Sequence, residues 1–595
     1  MSANANPLRK VSVWPALLAG LCLMFVLVNA RWIWLYRHAQ PLDIDEAGYL
    51  SFAMIDYRAL MAGGVSGWLQ AIEAPSIQAP LTTALASLIF AISGPHVVAA
   101  FVVPVLAGVA TIVATFFLAR CLLQPGSALA AATLVATCPV VMNYARSFHF
   151  ALPATATTTF ALLCLIRSQR FANVPWALLF GLSLGLMPLA RTMTIAFLPG
   201  LVLGAGIYAL TGERARVRRF VILCAALLLA IATASSWLAF NGSYVFQYLF
   251  SFGYGKQASD YFGSGLPSDQ YGPGRITLVW NACMEMLRNL VANIYLPHAL
   301  VLLAGLVGTP ALVAAAVKRQ GVASVFRGAL ISPTLPVVVF IFESLAALTS
   351  SRNNGTAFFA PLIPAMLVAA VYVIANAFTG RAYIFMKRSC LVLICLTSAV
   401  PLLDLSWPLA RIWAIKVPGL GGAIMTDGRG PIQQYEDAGG LAHIPGTPQP
   451  VDRREGNAWL ALNVTTAGTV RSMSPPQGVV ALGFRGFLYN ANTVRLQILQ
   501  SGFNDLNLVE VDPFETGDTQ NGYHIWLTLG PASSSCLLLT LRESKEDIPP
   551  PVSKRLMEAA ARQAGFTPLQ DWPAPDGNIV TLWQRSSLPP ACPRG

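Results

Sequence analysis

Apolar runs about twenty residues long recur along this chain as far as position 405, and they leave few folds open. They fall at 11–36, 97–119, 122–141, 151–166, 174–190, 193–210, 220–240, 291–317, 331–348, 356–378 and 389–405. A helix of about 20 apolar residues crosses the roughly 30 Å of bilayer hydrocarbon. Within lipid, a helix satisfies its own backbone polar groups. A 595-residue chain that is 55% hydrophobic and only 11% charged is thus expected to be a polytopic α-helical membrane protein with about 11–13 transmembrane helices. One further apolar stretch, 80–93, is short and stops at Gly94-Pro95, as a short or re-entrant helix would. The first run has the charge of a signal peptide, but it is too long and has no clear small-residue cleavage site, so it reads as a retained anchor.

Basic residues punctuate the runs at Arg9/Lys10, Arg120, Arg167/Arg170, 214–219, Lys318/Arg319/Arg327 and Arg381/Lys387/Arg388. If each cluster is cytoplasmic, eleven spans alternate consistently, with the N-terminus inside and the C-terminus outside. The net charge of +12 is then a topology signal, and no nucleic-acid partner is implied. The chain divides into a membrane module, 1–410, and an extracytoplasmic domain, 411–595. A first external loop, 37–79, and a long external loop, 241–289, belong to the module.

Against this charge-poor background, "QPLDIDEAGYL" places Asp43, Asp45 and Glu46 at the outer boundary of the first span. An ionised side chain in or near hydrocarbon costs roughly 2.5–3.5 kcal/mol on insertion scales, so juxtamembrane acids are functional candidates. Arg146, Arg191, Lys256 and Arg352 break the positive-inside pattern on the same face, and cations there suit an anionic partner; snorkelling to the headgroups is the plainer reading of each. The segment "DEAGYLSFAMIDYRALMAGG" has the spacing of an amphipathic helix lying on the membrane, stopped by Gly63-Gly64 and followed by a second short segment with Trp68 as interfacial anchor. Asp43 and Glu46 share a face at i and i+3, while Asp45 points elsewhere. Capping of that helix is the structural alternative for Asp43.

Five stretches, in order, resemble the GT-C glycosyltransferases, in particular the branch of protein O-mannosyltransferases and aminoarabinose transferases. "DEAGY" is similar to that family's Asp-Glu motif. "QAPLTTALASLIFAISG" is similar to its Pro-Pro-Leu-led segment, with Ala79 in place of one proline, and "YARSFHFALPATATTTFALLCLI" to its second external loop and following helix. "GLSLGLMPLARTMTIAFLPGLVL" resembles its Gly-Leu-rich segment with a basic end, here Arg191, and "SSRNNGTAFFAPLIPAML" its late basic loop. The resemblance implies transfer of a sugar from a polyprenyl-phosphate carrier to a glycan, lipid or protein acceptor on the external face, with inversion. By the same resemblance Asp45 is the base, and Glu46 orients the acceptor or positions Asp45 or a cation. A developing lipid-phosphate charge calls for fixed cations; Arg352 ranks first, then Arg191, Arg146 and Lys256. Asp43 and Tyr49 complete the substrate-binding candidates. Leu152-Pro153 lacks the acid that many relatives have before the proline, and 254–261 lacks a histidine, which weakens the carry-over of a family metal site. Asp43 and Asp45 form an Asp-x-Asp pair that leaves a divalent cation open as a cofactor. His38, His149 and His298 have no ligand spacing.

After Trp407 the runs shorten. "VVALGFRGFLYN", "NTVRLQILQ", "HIWLTLG", "SSCLLLTLR" and "IVTLWQR" have strand length, and 553–564 reads as an amphipathic helix, together an α+β domain reached through 418–422. Cys536 and Cys592 are its two cysteines, and an oxidising compartment allows them to bridge. No Walker loop, CxxC or Ser-His-Asp pattern occurs. The competing expectations are a transporter or flippase of lipid-linked sugars, which would place charges at the midplane and repeat its halves, and an oligosaccharide ligase or polymerase. A bacterial inner membrane with a periplasmic C-terminal domain is the expected location.

Overall fold

The computed structural model describes residues 13–38, 41–211, 215–255, 258, 275–292, 294–351, 356–377, 381–399, 414–417, 422–425, 453–475, 478–502, 506–542, 548 and 550–586. Each of the eleven apolar runs falls on helix over most of its length. The first eleven helices are Trp14–Tyr36 (α1), Ile44–Glu73 (α2), Leu81–Ser93 (α3), Val97–Ala100 (α4), Val102–Arg120 (α5), Pro125–Ala136 (α6), Pro139–Ala145 (α7), Ala151–Arg167 (α8), Val174–Ala190 (α9), Leu198–Leu210 (α10) and Arg216–Gly253 (α11). Leu296–Gln320, Leu335–Ser350, Ile363–Ala377 and Arg381–Ala399 continue the bundle.

Among the described residues, five helices are long and apolar enough to cross a membrane, and seven if two bent pairs each count as one span. The bends have covalent causes. α6 and α7 meet at 56° where Pro139 begins α7. Val322–Ile331 and Leu335–Ser350 meet at 85° around Pro333. Proline lacks the amide hydrogen and disfavours helical backbone in the residue before it. Ala151–Arg167, Val174–Ala190, Ile363–Ala377 and Arg388–Ser398 are shorter apolar helices within the bundle, and Leu81–Ser93 is the short helix expected from 80–93. α9 and α11 touch along a stripe of small residues. A Cβ on Gly181 would run into the Ala226 carbonyl, and one on Gly185 would stand 2.5 Å from that of Ala230, the close approach that small residues permit between membrane helices.

Two segments expected to be external differ in part from expectation. α2 runs over Ile44–Glu73 as two helical pieces that meet at a kink, where Gly64 has the non-helical φ of 60° and ψ of −154° that suit glycine alone; the stop expected at Gly63-Gly64 is there, and the piece carrying Trp68 follows it. The first half of α2 is not a surface helix: Glu46 through Ser51, Ala53, Met54 and Asp56 are buried, whereas Met61, Val65 and Leu69 beyond or beside the bend are exposed. The stretch expected as a long external loop, 241–289, begins as a continuation of α11 to Gly253 and ends within the helix Arg275–Ala292. Asn241, which marks the end of the apolar run, is buried because its side chain accepts from the Ser76 amide (2.7 Å) and donates to the Glu73 carbonyl (3.3 Å). The polar residue thereby fastens α11 to the end of α2.

The C-terminal part holds a hairpin, Ala414–Val417 (β1) with Gly422–Met425 (β2), and the helix Arg453–Met473. A five-stranded sheet follows: Val479–Leu482 (β3), Asn507–Glu510 (β4), Ser535–Leu541 (β5), Phe566–Pro573 (β6) and Ile579–Arg585 (β7). The strand order is β4-β3-β5-β7-β6; β3 is parallel to β4 and β5, and β7 is antiparallel to β5 and β6. Cys536 is disulfide-bonded; its expected partner, Cys592, lies outside the described residues. The amphipathic helix is Lys554–Gln563.

Two segments of strand length are helices, Ala491–Gln500 and Gln520–Thr528. The first explains its own misleading pattern. Asn490 and Thr493 form a capping box, a strong helix start. Ala491, Val494 and Ile498 then enter the core of the C-terminal domain, while Leu496 and Leu499 enter the core shared with α2. Burial on two opposite faces makes the apolar residues alternate, which is also the mark of a strand.

Candidate functional site

The three acids occupy three different environments set by the start of α2. Asp43 is its N-cap, accepting from the Glu46 amide at 2.8 Å. It is buried, and burial, then the neighbouring Glu46 and Asp45 charges, push its carboxyl well above the usual range. Glu46 is fully buried. It pairs with Arg37, at the end of α1, and its Oε1 accepts from Ser147 Oγ at 2.7 Å and the Phe148 amide at 2.9 Å. All of this fixes the turn 146–150 against the start of α2. Arg37 also lies over Phe101 at 5.2 Å.

Asp45 is different. Its side chain is 58% accessible. Desolvation by the neighbouring protein opposes its charge, but His149 and Arg191 outweigh it, so the carboxyl sits below the usual range and is ionised at neutral pH. His149 Nε2 lies 3.9 Å from Asp45 Oδ2. Burial lowers the His149 imidazole toward its neutral form. It is held between Tyr144 (5.1 Å), Phe150 (3.8 Å) and Tyr49 (5.7 Å, edge-on).

Arg191 occupies the extended break between α9 and the 3-10 turn Thr192–Phe197. Its guanidinium stands over the Phe150 ring at 3.6 Å, donates to the Tyr49 hydroxyl at 2.5 Å, and faces Phe358 at 6.0 Å. Its Nε has no hydrogen-bond partner among the described residues. Tyr248 of α11 feels its charge. One ionised carboxylate and one guanidinium thus stand among the same aromatic side chains. Tyr49 is buried beside both, and burial raises its phenol further above its ordinary value.

Among the other expected site residues, Arg146 is fully buried on α1, with its Nε donating to Asn29 at 2.9 Å and its guanidinium over Trp32 at 4.6 Å. Lys256 and Arg352 lie outside the described residues. Among those described, no three His, Cys, Asp or Glu side chains gather as a metal site, and one oxygen of Asp43 is committed to its cap. His149, weighed from the sequence only as a metal ligand, joins the site beside Asp45, and Phe150, Phe358 and Tyr248 join it unannounced. The sequence signal for Phe150 was the aromatic run "SFHF"; Phe358 and Tyr248 carry none that sets them apart from lipid-facing aromatics.

Residues 77–240 match the family model described as dolichyl-phosphate-mannose-protein mannosyltransferase. No curated protein matches the chain by sequence. The fold is similar to that of ArnT from Cupriavidus metallidurans bound to undecaprenyl phosphate, with a TM-score of 0.54 at 15% identity, covering 98% of this chain and all of that one. It is likewise similar to the apo state of the same protein, with a TM-score of 0.53 at 15% identity, covering 95% and 98%. The architecture, membrane helices followed by a small sheet domain, is similar to that of these ArnT structures.

Proposed function

We propose that this protein is a membrane glycosyltransferase that moves a sugar from a polyprenyl-phosphate carrier to an acceptor on the external face of the membrane. The observation that carries the reading is the accessible, ionised Asp45 carboxylate close enough to the Arg191 guanidinium to feel its charge. In the reaction an acceptor hydroxyl or amine attacks the anomeric carbon, the bond from that carbon to the phosphate oxygen breaks, and the acceptor proton passes to Asp45. The polyprenyl phosphate leaves with the negative charge, and configuration inverts. A carboxylate within hydrogen-bond reach contributes 10²–10⁴-fold as a base. A preorganised cation facing the developing phosphate charge is worth several kcal/mol in a water-poor site, and Arg191 has an unused donor for it. Arg352 and Lys256 are further proposed phosphate partners. Glu46 acts through Arg37 and the 146–150 turn rather than on substrate, and Asp43 serves the start of α2. The ArnT relative bound to undecaprenyl phosphate supports a lipid-phosphate donor. The alternation of basic clusters supports a cytoplasmic N-terminus and a periplasmic C-terminal domain in a bacterial inner membrane.

The test is transfer in nanodiscs, with a panel of polyprenyl-phosphate sugars and a membrane extract as acceptor. Asp45→Asn is expected to lose about 100-fold or more in kcat with its unfolding midpoint unchanged, and Arg191→Ala to weaken both kcat and carrier binding. Undiminished transfer by Asp45→Asn refutes the assignment of the base. No transfer by the wild type from any carrier refutes the reading itself.

A further inference from the structure

The start of α2 is held from outside the membrane module. The helix Ala491–Gln500 lies along the buried half of α2 and is tied to it at both ends. Asn492 Nδ2 donates to the Ile44 carbonyl at 2.9 Å, across 448 residues of sequence, and Arg58 donates to the Leu499 carbonyl. Between the ties, Leu496 and Leu499 enter the same core as Leu50, Ala53 and Met54.

The first tie is built rather than incidental. Ile44 opens α2 and immediately precedes Asp45. A Cβ on Gly48 would stand 3.0 Å from Asn492 Nδ2 and 3.4 Å from its Cγ, so only glycine lets the amide in without displacement. Asn492 is itself fixed, since its backbone amide donates to Asn490 Oδ1 at 2.9 Å. Fully buried Asn490 in turn donates to the Gly486 and Phe487 carbonyls at 2.9 and 3.0 Å. The first turn of a helix has no intrahelical partner for its amides and frays most easily. Here its first carbonyl is pinned by a side chain from another domain.

We propose that Asn492 is a positioning residue for Asp45, through which the C-terminal domain sets the aim of the base. The inference rests on the glycosyltransferase reading for its kinetic part only. A displacement of about 1 Å in a catalytic group lowers rate as much as 100-fold. Asn492→Ala and Asn492→Asp, which removes the donor at constant shape, are expected to lower kcat about tenfold while the KM for the carrier stays within twofold. Gly48→Ala is expected to do the same. Because all three break one contact, Asn492→Ala combined with Gly48→Ala is expected to be no worse than either alone. Amide exchange read by mass spectrometry supplies a readout independent of activity: protection over 44–50 falls about tenfold in Asn492→Ala, with the strands of the C-terminal sheet unchanged.

Unchanged kcat and unchanged exchange in Asn492→Ala overturn the proposal. Losses that simply add in the double variant, or a kcat loss matched by loss of folded protein, overturn it as well. A wild type that transfers nothing defeats the functional reading, while the exchange experiment still decides the tether.

Discussion

Glu46 and Asp45 are neighbours in sequence, and their removal should do opposite things. In Glu46→Gln the Oε1 side keeps an acceptor for Ser147 and the Phe148 amide, but Arg37 loses its carboxylate at a site from which water is excluded. Breaking a buried ion pair by neutralising one partner costs about 3–5 kcal/mol, because the remaining charge stays desolvated. At about 2–4 °C per kcal/mol for a large domain, the unfolding midpoint should fall by roughly 10 °C. Removing both charges while keeping an acceptor for Ser147 and the Phe148 amide, Arg37→Met with Glu46→Gln, should recover part of that loss, since no desolvated charge then remains. Asp45→Asn, at a side chain 58% accessible, should move the midpoint by less than about 2 °C, in line with surface substitutions of about 0.5 kcal/mol. The assay is thermal unfolding of the full chain in nanodiscs, followed by intrinsic fluorescence and scanned at one fixed rate. A Glu46→Gln protein as stable as wild type, or a double variant less stable than the single one, refutes the account of Glu46 as a buried strut.

The stability of the C-terminal domain should fall as pH rises. Burial, against the opposing pull of Arg485, lifts the Glu510 carboxyl to about 7 from an ordinary 4.5; Arg485 stands 3.9 Å away, and Arg495 and Asp512 also face it. A raised carboxyl contributes stability that is complete below about pH 4.5 and lost as pH rises through about 7, at most roughly 3 kcal/mol over the window. Unfolding midpoints at pH 5 and pH 8 check this, and Glu510→Gln should flatten the difference; a midpoint that rises with pH contradicts it. Gly181→Val should push α9 from α11, where a side chain meets the Ala226 carbonyl, and reduce the folded yield several-fold on size exclusion in detergent. An unchanged yield would mean the two helices separate freely.

The membrane module was legible because its constraint is one-dimensional: apolar length and the position of basic residues determine most of it. What escaped was decided by partners distant in sequence. The break at Gly63-Gly64 was legible, but not that Asn241 answers the Glu73 carbonyl and the Ser76 amide beyond it. Asp45 was singled out by composition and resemblance, and in the structure it stands 3.9 Å from His149 and within the field of Arg191. Glu46, equally conspicuous as an acid, is engaged by Arg37, a contact that spacing alone does not reveal, whereas the capping that the sequence left open for Asp43 is what the structure shows. Arg191 was visible as a cation on the wrong side; Phe150 and Phe358, the stacked rings beside it, were two aromatics among the 30 phenylalanines of the chain. The helix Ala491–Gln500 was misread because both its faces are buried, a situation in which periodicity loses its meaning.

That two-faced helix also dictates a schedule. α2 leaves the ribosome some 448 residues before Asn492, and at roughly 5–20 residues per second it waits about 20–90 s for the segment that completes it. Throughout that interval the membrane helices that follow are made while this face of α2 still lacks its partner. A chain cut short before the C-terminal domain would therefore contain Asp45 and Arg191 without the helix against which α2 rests. The Asn492 and Leu499 contacts with α2 form only when the last quarter of the polypeptide arrives, so the packing of α2 is completed after every membrane helix has been made.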